Sequence, residues 1–293
     1  MSVQIPVRLL TEHKATISAM LLGGARSVLP FVKKSQGGVF MNRRLSSPSP
    51  ELVQAFNVWA GVARPSGDLP PPLMVAQTAL SVVSELTAQC PYPLLGVLNQ
   101  GLRIVIHQRL PVGGKLNLSG ELVDASDDGY RARIHSHVEV GTDSCPNAVS
   151  IDAYAAVVLK KRTDSASSNR VEPSWETIGH WQAGADEGVK FFLLTGDFNP
   201  IHTLPAVARR TRFKGCIMHG YGAFSQIYAA LENTGWQIKD IETRFVKPLP
   251  LPSPALQIQI ARTRNDEGRF PFRLTDAEGN LYQVGSFIPV ENA

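Results

Sequence analysis

The chain has little cysteine: Cys90, Cys145 and Cys216 are the only three in 293 residues. Their number is odd, no two stand in a C-x-x-C spacing, and none is grouped with histidine as a metal site requires. A disulfide framework and a zinc site are therefore excluded as the basis of the fold, and a reducing cytoplasm is the expected compartment. Charge is also scarce, at 18% of residues with a net value of +4, too small to suggest nucleic acid as a partner unless it is concentrated on one face. Long hydrophobic runs are missing too. The apolar stretch from Ile17 to Leu22 resumes only at Val28 to Val32, with Gly23, Gly24, Arg26 and Ser27 between, so it does not span a bilayer. Lys33 and Lys34 follow that stretch where a signal peptide would carry its charges ahead, so it reads as part of the fold and no membrane is expected as a partner.

What remains is ordinary globular composition, 43% hydrophobic and 8% aromatic, with 24 glycines and 21 prolines that imply many turns. The length suits two domains of roughly 100 to 150 residues. A polar, serine-rich run from Lys160 to Arg170 marks the boundary and divides the chain into units 1–160 and 173–293, with a linker over 161–172. The units repeat weakly. An apolar segment from Leu73 to Leu86 precedes R-I-V-I-H-Q-R-L-P-V-G-G-K-L-N-L-S-G-E-L, and Ile217 to Leu231 precedes I-E-T-R-F-V-K-P-L-P-L-P-S-P-A-L-Q-I-Q-I. A Leu-Pro hinge recurs at Leu110-Pro111-Val112 and Leu249-Pro250-Leu251.

Periodicity says what the repeats are made of. Gly220, Ala223, Phe224, Ile227, Tyr228 and Leu231 recur at helical spacing, with Gly235 as a stop. Leu116 to Leu122, Leu256 to Ile260, Tyr130 to Val140, Ile151 to Leu159, Arg269 to Leu274 and Tyr282 to Ile288 alternate as strands do. Each half is expected to hold one long buried helix followed by about four antiparallel strands, with the sheet wrapped around the helix.

The stretch T-G-D-F-N-P-I-H, Thr195 to His202, carries the chemistry. The residue before proline is pushed out of the helical region and proline favours the first helical position, so Asn199 reads as an N-cap and Pro200 as the start of a short helix ended by Pro205. His202 becomes the third helical residue, and Asp197 stays in the loop ahead of it. Carboxylate and imidazole then face one small volume and can exchange protons with water. The helix end disfavours imidazolium while Asp197 favours it, which leaves the protonation state open. Further on, His219-Gly220-Tyr221-Gly222 opens the buried helix with two glycines where glycine is a poor helix former. Glycine there admits a ligand to the unpaired N–H groups of the helix end, good donors to a carbonyl that gains negative charge.

At these residues the sequence resembles a known family. G-D-F-N-P-I-H, then M-H-G-Y at the start of a buried helix, then R-F-V-K-P-L, are similar to the MaoC-type dehydratases, also called (R)-specific enoyl-CoA hydratases or hydratase 2. In the first half, L-P-P-P-L, P-Y-P-L-L-G-V-L-N-Q and Q-R-L-P-V-G-G-K-L resemble the degenerate N-terminal half of double hot-dog members. The resemblance covers roughly residues 73–290 and is strongest over 195–231. It implies an α+β double hot-dog: two curled antiparallel sheets, each wrapping a central helix, in one chain. It also implies reversible hydration of trans-2-enoyl thioesters to (R)-3-hydroxyacyl thioesters, carried by coenzyme A or an acyl carrier protein, with no metal or other cofactor. By the family's pattern Asp197 and His202 hold and activate water, the Gly220 N–H meets the thioester carbonyl, and Gly196, Asn199 and His219 support them. Thr203-Leu204 departs from the family, where an acidic residue is common, and affects secondary contacts only. A homodimer is allowed by the resemblance.

Two other readings of the resemblance stay open, a non-catalytic acyl-thioester-binding subunit and a thioesterase. The first half lacks the catalytic pair: the corresponding stretch is Phe56-Asn57-Val58-Trp59, and Asp68 lies too close to its helix to serve. One active site per chain follows, with Met74, Val75 and Thr78 as candidate walls of an acyl pocket. Arg209, Arg210, Arg212 and Lys214 lie between the catalytic turn and the helix, and equal the whole net charge. Arg209, Arg212 and Lys214, with Tyr221, are the expected substrate contacts, because arginine pairs with phosphates and carboxylates. His107, His135 and His137 sit on strands without a matching carboxylate cluster and read as surface or packing residues.

Overall fold

A computed structural model describes residues 3–28, 35–65, 69–92, 97–110, 113–160 and 173–291. The linker expected over 161–172, Pro111-Val112 of the first hinge, and Asp68 lie outside the described residues. The first half opens with a 3-10 turn, Val7–His13, and helix α1 (Lys14–Val28). Then come β1 (Val39–Ser46), α2 (Pro50–Ala60), α3 (Pro72–Gln77), α4 (Leu80–Thr87), β2 (Val97–Ile106), β3 (Lys115–Asp127), β4 (Arg131–Gly141) and β5 (Val149–Val158). The second half holds β6 (Trp175–Trp181), α5 (Glu187–Thr195), α6 (Pro200–Thr203), α7 (Pro205–Ala208), α8 (Gly220–Asn233), β7 (Ile238–Phe245), β8 (Leu256–Ala261), β9 (Phe270–Asp276) and β10 (Leu281–Pro289).

All ten strands belong to one antiparallel sheet in the order β1-β3-β4-β5-β2-β7-β10-β9-β8-β6. The order reads the same from either end when β6 to β10 are matched to β1 to β5, so the weak sequence repeat is a repeat of topology. The two expected sheets are five-stranded units joined at one seam, where β2 pairs with β7 from Gly101↔Arg244 to Val105↔Asp240. Each unit has one strand more than expected, because β1 and β6 precede the helices. Both are outermost strands whose burial alternates only in part, which is why period-two patterning missed them.

Helix α8 explains the shape. It touches both β6 and β7, the two ends of its five-stranded unit. In a flat sheet those ends would lie roughly 19 Å apart, so the unit must curl around the helix. Phe224, Ile227 and Leu231 are fully buried there, each stabilising the fold by about 1.5–3 kcal/mol. The matching helix of the first half is broken at Thr78-Ala79, contrary to the long helix expected. Thr78 donates its hydroxyl to the Val75 carbonyl at 2.6 Å, and the backbone there switches to three-residue bonds, Thr78 N to Val75 O and Ala79 N to Ala76 O. A hydroxyl competing for that carbonyl is what interrupts the helix. Polar contacts also tie the halves together: Tyr221 donates to the Leu73 carbonyl at 2.8 Å, Gln226 to the Trp59 carbonyl at 3.2 Å, and Trp59 Nε1 to Glu187 at 2.6 Å.

The strand histidines are not isolated, which corrects the expectation from sequence. Pairing of β4 with β5 sets His137 opposite Asp152. His135 Nε2 and His137 Nδ1 lie 2.8 and 2.9 Å from Asp152 Oδ1, and His137 Nε2 lies 2.7 Å from Glu139. His107 reaches Ser150, which donates to Glu139. Cross-strand register brings these groups together, and sequence spacing does not reveal it. Burial by itself would lower the His137 pKa, but bonds to Asp152 and Glu139 outweigh it and the net shift is upward. Burial pushes Asp152 up, and the two histidines outweigh that and hold it below the usual carboxylate range.

A raised imidazole stabilises the fold fully below its ordinary value of about 6.5, and the contribution is lost as pH rises through the raised value. The lowered Asp152 contributes above about 3.9 and loses its contribution as pH falls. The expected result for His137→Asn is a melting-temperature deficit that is largest near about pH 6 and shrinks as pH rises. A deficit independent of pH would show that the imidazole charge takes no part.

Candidate active site

The turn from Thr195 to His202 forms as the sequence predicts. Helix α5 ends at Thr195 and Gly196 takes the left-handed conformation, φ 77°, with its N–H on the Phe192 carbonyl at 2.8 Å. The chain reverses there and presents Asp197. The Asn199 side chain accepts from Ile201 N at 3.3 Å, Pro200 is the first helical residue, and His202 is the third. Such a cap stabilises a helix by about 1 kcal/mol, which matters in one of four residues.

His202 is oriented by the second hinge. Met218 N donates to the Leu249 carbonyl at 2.7 Å and Leu251 N to the Cys216 carbonyl at 2.9 Å, so segment 216–218 is held against 249–251. The Ile217 carbonyl is thereby aimed at His202 Nδ1, 2.8 Å away. A carbonyl can only accept, so Nδ1 carries the proton and Nε2 of the neutral ring keeps its lone pair. His219 joins the pair from behind. Its ring centroid lies 3.8 Å from that of His202, its Nε2 donates to the Asp197 backbone carbonyl at 3.0 Å, and Asp197 Oδ1 stands 3.9 Å from the same nitrogen. One buried imidazole thus touches both the carboxylate residue and the base.

Burial decides the direction of both shifts, which the sequence left open. It lowers the His202 pKa against the pull of Asp197, and it raises that of Asp197 against the pull of His202. His219 is pushed well below its ordinary value, by burial first and by His202 second. An imidazole whose pKa is lowered beside a carboxyl group whose pKa is raised is a pair able to move one proton in and one out. The Asp197 side chain keeps 19% exposure, so it remains open to a ligand.

Gly220 is the first residue of α8, and its N–H has no partner within the helix. The structure gives the glycines a reason that the sequence did not. A Cβ at Gly220 would meet the Phe245 ring at 2.7 Å, and one at Gly222 would run into Met218 and Phe191. Packing by the protein is enough to demand them. Gln283 fixes the same turn, donating to the Gly220 carbonyl at 2.7 Å. Sequence reasoning missed Phe245 as a packing partner and Gln283 altogether, because both reach Gly220 from distant strands.

Asp197, Asn199, His202, His219 and Gly220 all border one cavity of about 1040 Å³. It runs between the halves: Met20 and Leu21 of α1, Leu80 and Val83 of α4, and Ala153 and Ala155 of β5 supply its other wall. Met74 and Val75 are instead sealed in the core, and none of Met74, Val75 and Thr78 borders the cavity, because the helix break turns α4 rather than α3 towards it. Of the three cations expected to meet substrate, Arg212 reaches the rim, while Arg209 and Lys214 are exposed away from it. Arg131, Arg244 and Lys247 join Arg212 at the rim. Tyr221 borders the cavity, but its hydroxyl is engaged by Leu73. Gly196 lies behind the turn and off the cavity wall.

Two repeated units sharing one sheet, each curled on a helix, with a cavity between them, define a double hot-dog protein. Residues 167–273 match the family profile described as the MaoC like domain. The chain is similar to HtdX of Mycobacterium tuberculosis, with a TM-score of 0.68 at 16% identity, over 85% of this chain and 100% of that one. A second Mycobacterium tuberculosis protein, described as having a double hotdog fold, aligns with a TM-score of 0.54 at 14% identity, over 87% of this chain and 96% of that one. In sequence, 148 residues are 26% identical to the peroxisomal hydratase-dehydrogenase-epimerase of Neurospora crassa; the match covers 46% of this chain and spans only 16% of that protein. Among the described residues no helix is long and apolar enough to cross a membrane.

Proposed function

We propose that this chain is a hydro-lyase that adds water reversibly to trans-2-enoyl thioesters, giving (R)-3-hydroxyacyl thioesters, with 173–293 as the catalytic unit and 1–160 as its degenerate partner. The observation that carries this is the orientation of His202: Nδ1 is held by Ile217, which leaves Nε2 bare beside Asp197 on a cavity that also receives the α8 N-terminus. His202 Nε2 takes a proton from water as the oxygen bonds to the β carbon. The carbon–carbon π pair moves towards the thioester, and the Gly220 N–H meets the growing negative charge on its oxygen, an interaction stronger in the transition state than before it. The α carbon takes a proton from the Asp197–His202 pair, which restores the starting state. The MaoC-like match and the hydratase-containing relative support the same reading.

Incubation of the purified protein with crotonyl-CoA tests it. Loss of the enoyl ultraviolet absorbance without release of free thiol is the expected result. Thiol release would make the protein a thioesterase, and neither change would leave it a binder.

The rim cations suit the phosphates of coenzyme A or the carboxylates of an acidic carrier protein. Such remote contacts are equal before and during reaction, so their loss weakens binding and spares chemistry. Arg212→Glu with Arg244→Glu is expected to raise KM for an acyl-CoA roughly tenfold at low ionic strength with kcat nearly unchanged, the defect fading in salt. An unchanged KM at low salt would return both residues to the solvated surface.

A further inference from the structure

The catalytic turn has a supporter that lies outside residues 167–273, in the first sixteen residues of the chain. The 3-10 turn Val7–His13 packs on α5 and ends directly behind Gly196. A Cβ at Gly196 would stand 2.6 Å from His13 Cβ and 3.4 Å from Thr16 Cβ, so these two residues lie flush against the peptide that precedes Asp197. The ring of His13 hydrogen-bonds the Leu193 backbone. Its Nε2 is sealed from solvent without a partner, which leaves Nδ1 as the donor to the Leu193 carbonyl.

That carbonyl needs one. The last four carbonyls of a helix have no intrahelical donor, and in α5 the Phe192 carbonyl is met by Gly196 N–H while Leu193 is met by His13. Gly196 has no side chain to hold it in place, and beyond its N–H on Phe192 its left-handed backbone is steadied only by what packs against it. His13 and Thr16 are the pin. The segment is itself anchored: Arg8 pairs with Glu51, and Glu12 accepts from Ser49 Oγ at 2.6 Å and Ser49 N at 3.0 Å. Packing alone does not account for a histidine here. A buried ring nitrogen without a partner costs about 1–3 kcal/mol, which an apolar residue of the same volume would avoid. Burial pushes the His13 pKa down to about 4, so the ring is neutral and puts no second cation behind Asp197.

We propose that His13 is a positioning residue for Asp197: it caps α5 at Leu193 and pins Gly196, and so sets the angle at which the carboxylate faces His202. The proposal rests on the assignment of Asp197 to proton transfer. A small displacement of a catalytic group costs rate more than binding, so the effect should fall on kcat.

Two variants separate the donor from the packing. His13→Leu fills much of the volume without a donor; His13→Asn places an amide N–H where Nδ1 stands. With crotonyl-CoA, His13→Leu should lower kcat about tenfold with KM within about twofold, and His13→Asn should recover most of the loss. Amide hydrogen exchange of segment 193–197 should quicken in His13→Leu and not in His13→Asn, with α8 unchanged in both. Unchanged kcat in His13→Leu, or equal loss in the two variants, would overturn the proposal, since a packing role makes no distinction between them. Should His13→Leu fold poorly, His13→Ser takes its place and must still fall below His13→Asn. Hydrogen exchange does not depend on activity: a wild-type protein that hydrates nothing sinks the hydratase reading, while quickened exchange confined to 193–197 still upholds the cap.

Discussion

Asp197→Asn and His202→Ala are each expected to lower kcat for hydration by roughly 10²- to 10⁴-fold, the range that positioned acid–base groups contribute. The two variants should differ in stability, and the difference is informative. Burial holds the Asp197 pKa above its ordinary value, so its charge opposes folding at neutral pH, and an amide of the same shape should melt at or above the wild-type temperature. His202→Ala strips the Ile217 carbonyl of its donor at 2.8 Å and should cost about 1–3 kcal/mol. If the residues act on one water as a unit, combining the two should add little to the rate loss. Steady-state rates and thermal melts of the three proteins test this. Near-normal turnover in either single variant would remove that residue from the mechanism.

Gly220→Ala should lower kcat by about 10²-fold, as loss of an aligned donor does. The added Cβ would stand 2.7 Å from two ring carbons of Phe245, closer than side chains approach, so the ring or the first turn of α8 must move. If the N–H is the functional group and the clash is what displaces it, Phe245→Leu should restore part of the rate in the double variant. Phe245→Leu alone should cost about 1 kcal/mol or more in stability and little in turnover. Full activity of Gly220→Ala would show that the helix entrance does not need its present geometry. A double variant no better than Gly220→Ala would point to backbone preference in place of the Phe245 contact.

Much of this site was legible because its rules are local. Asn199-Pro200 sets a cap and a helical start within four residues, and that alone brings Asp197 and His202 to one side of the chain. The buried face of α8, its glycine stop and the alternation of β3, β4 and β8 are likewise short-range patterns, and the structure follows them; β9 and β10 form where expected, but their burial does not alternate. The repeat was visible for the same reason, since each half copies its own periodicities.

Other features depend on contacts that no spacing encodes. Backbone hydrogen bonds are the same for every residue, so alternation in β2 and β7 does not say that these strands pair and merge two sheets into one. His137 meets Asp152 only through the register of β4 on β5. The rim draws Arg131, Arg212, Arg244 and Lys247 from segments far apart in the chain, which is why a local cluster of four cations contributes only Arg212 to it. His13 lies far from Gly196 in sequence and flush against it in space. The directions in which Asp197 and His202 titrate were undecidable from their neighbours because the largest cause is burial, and burial is a property of everything packed around them.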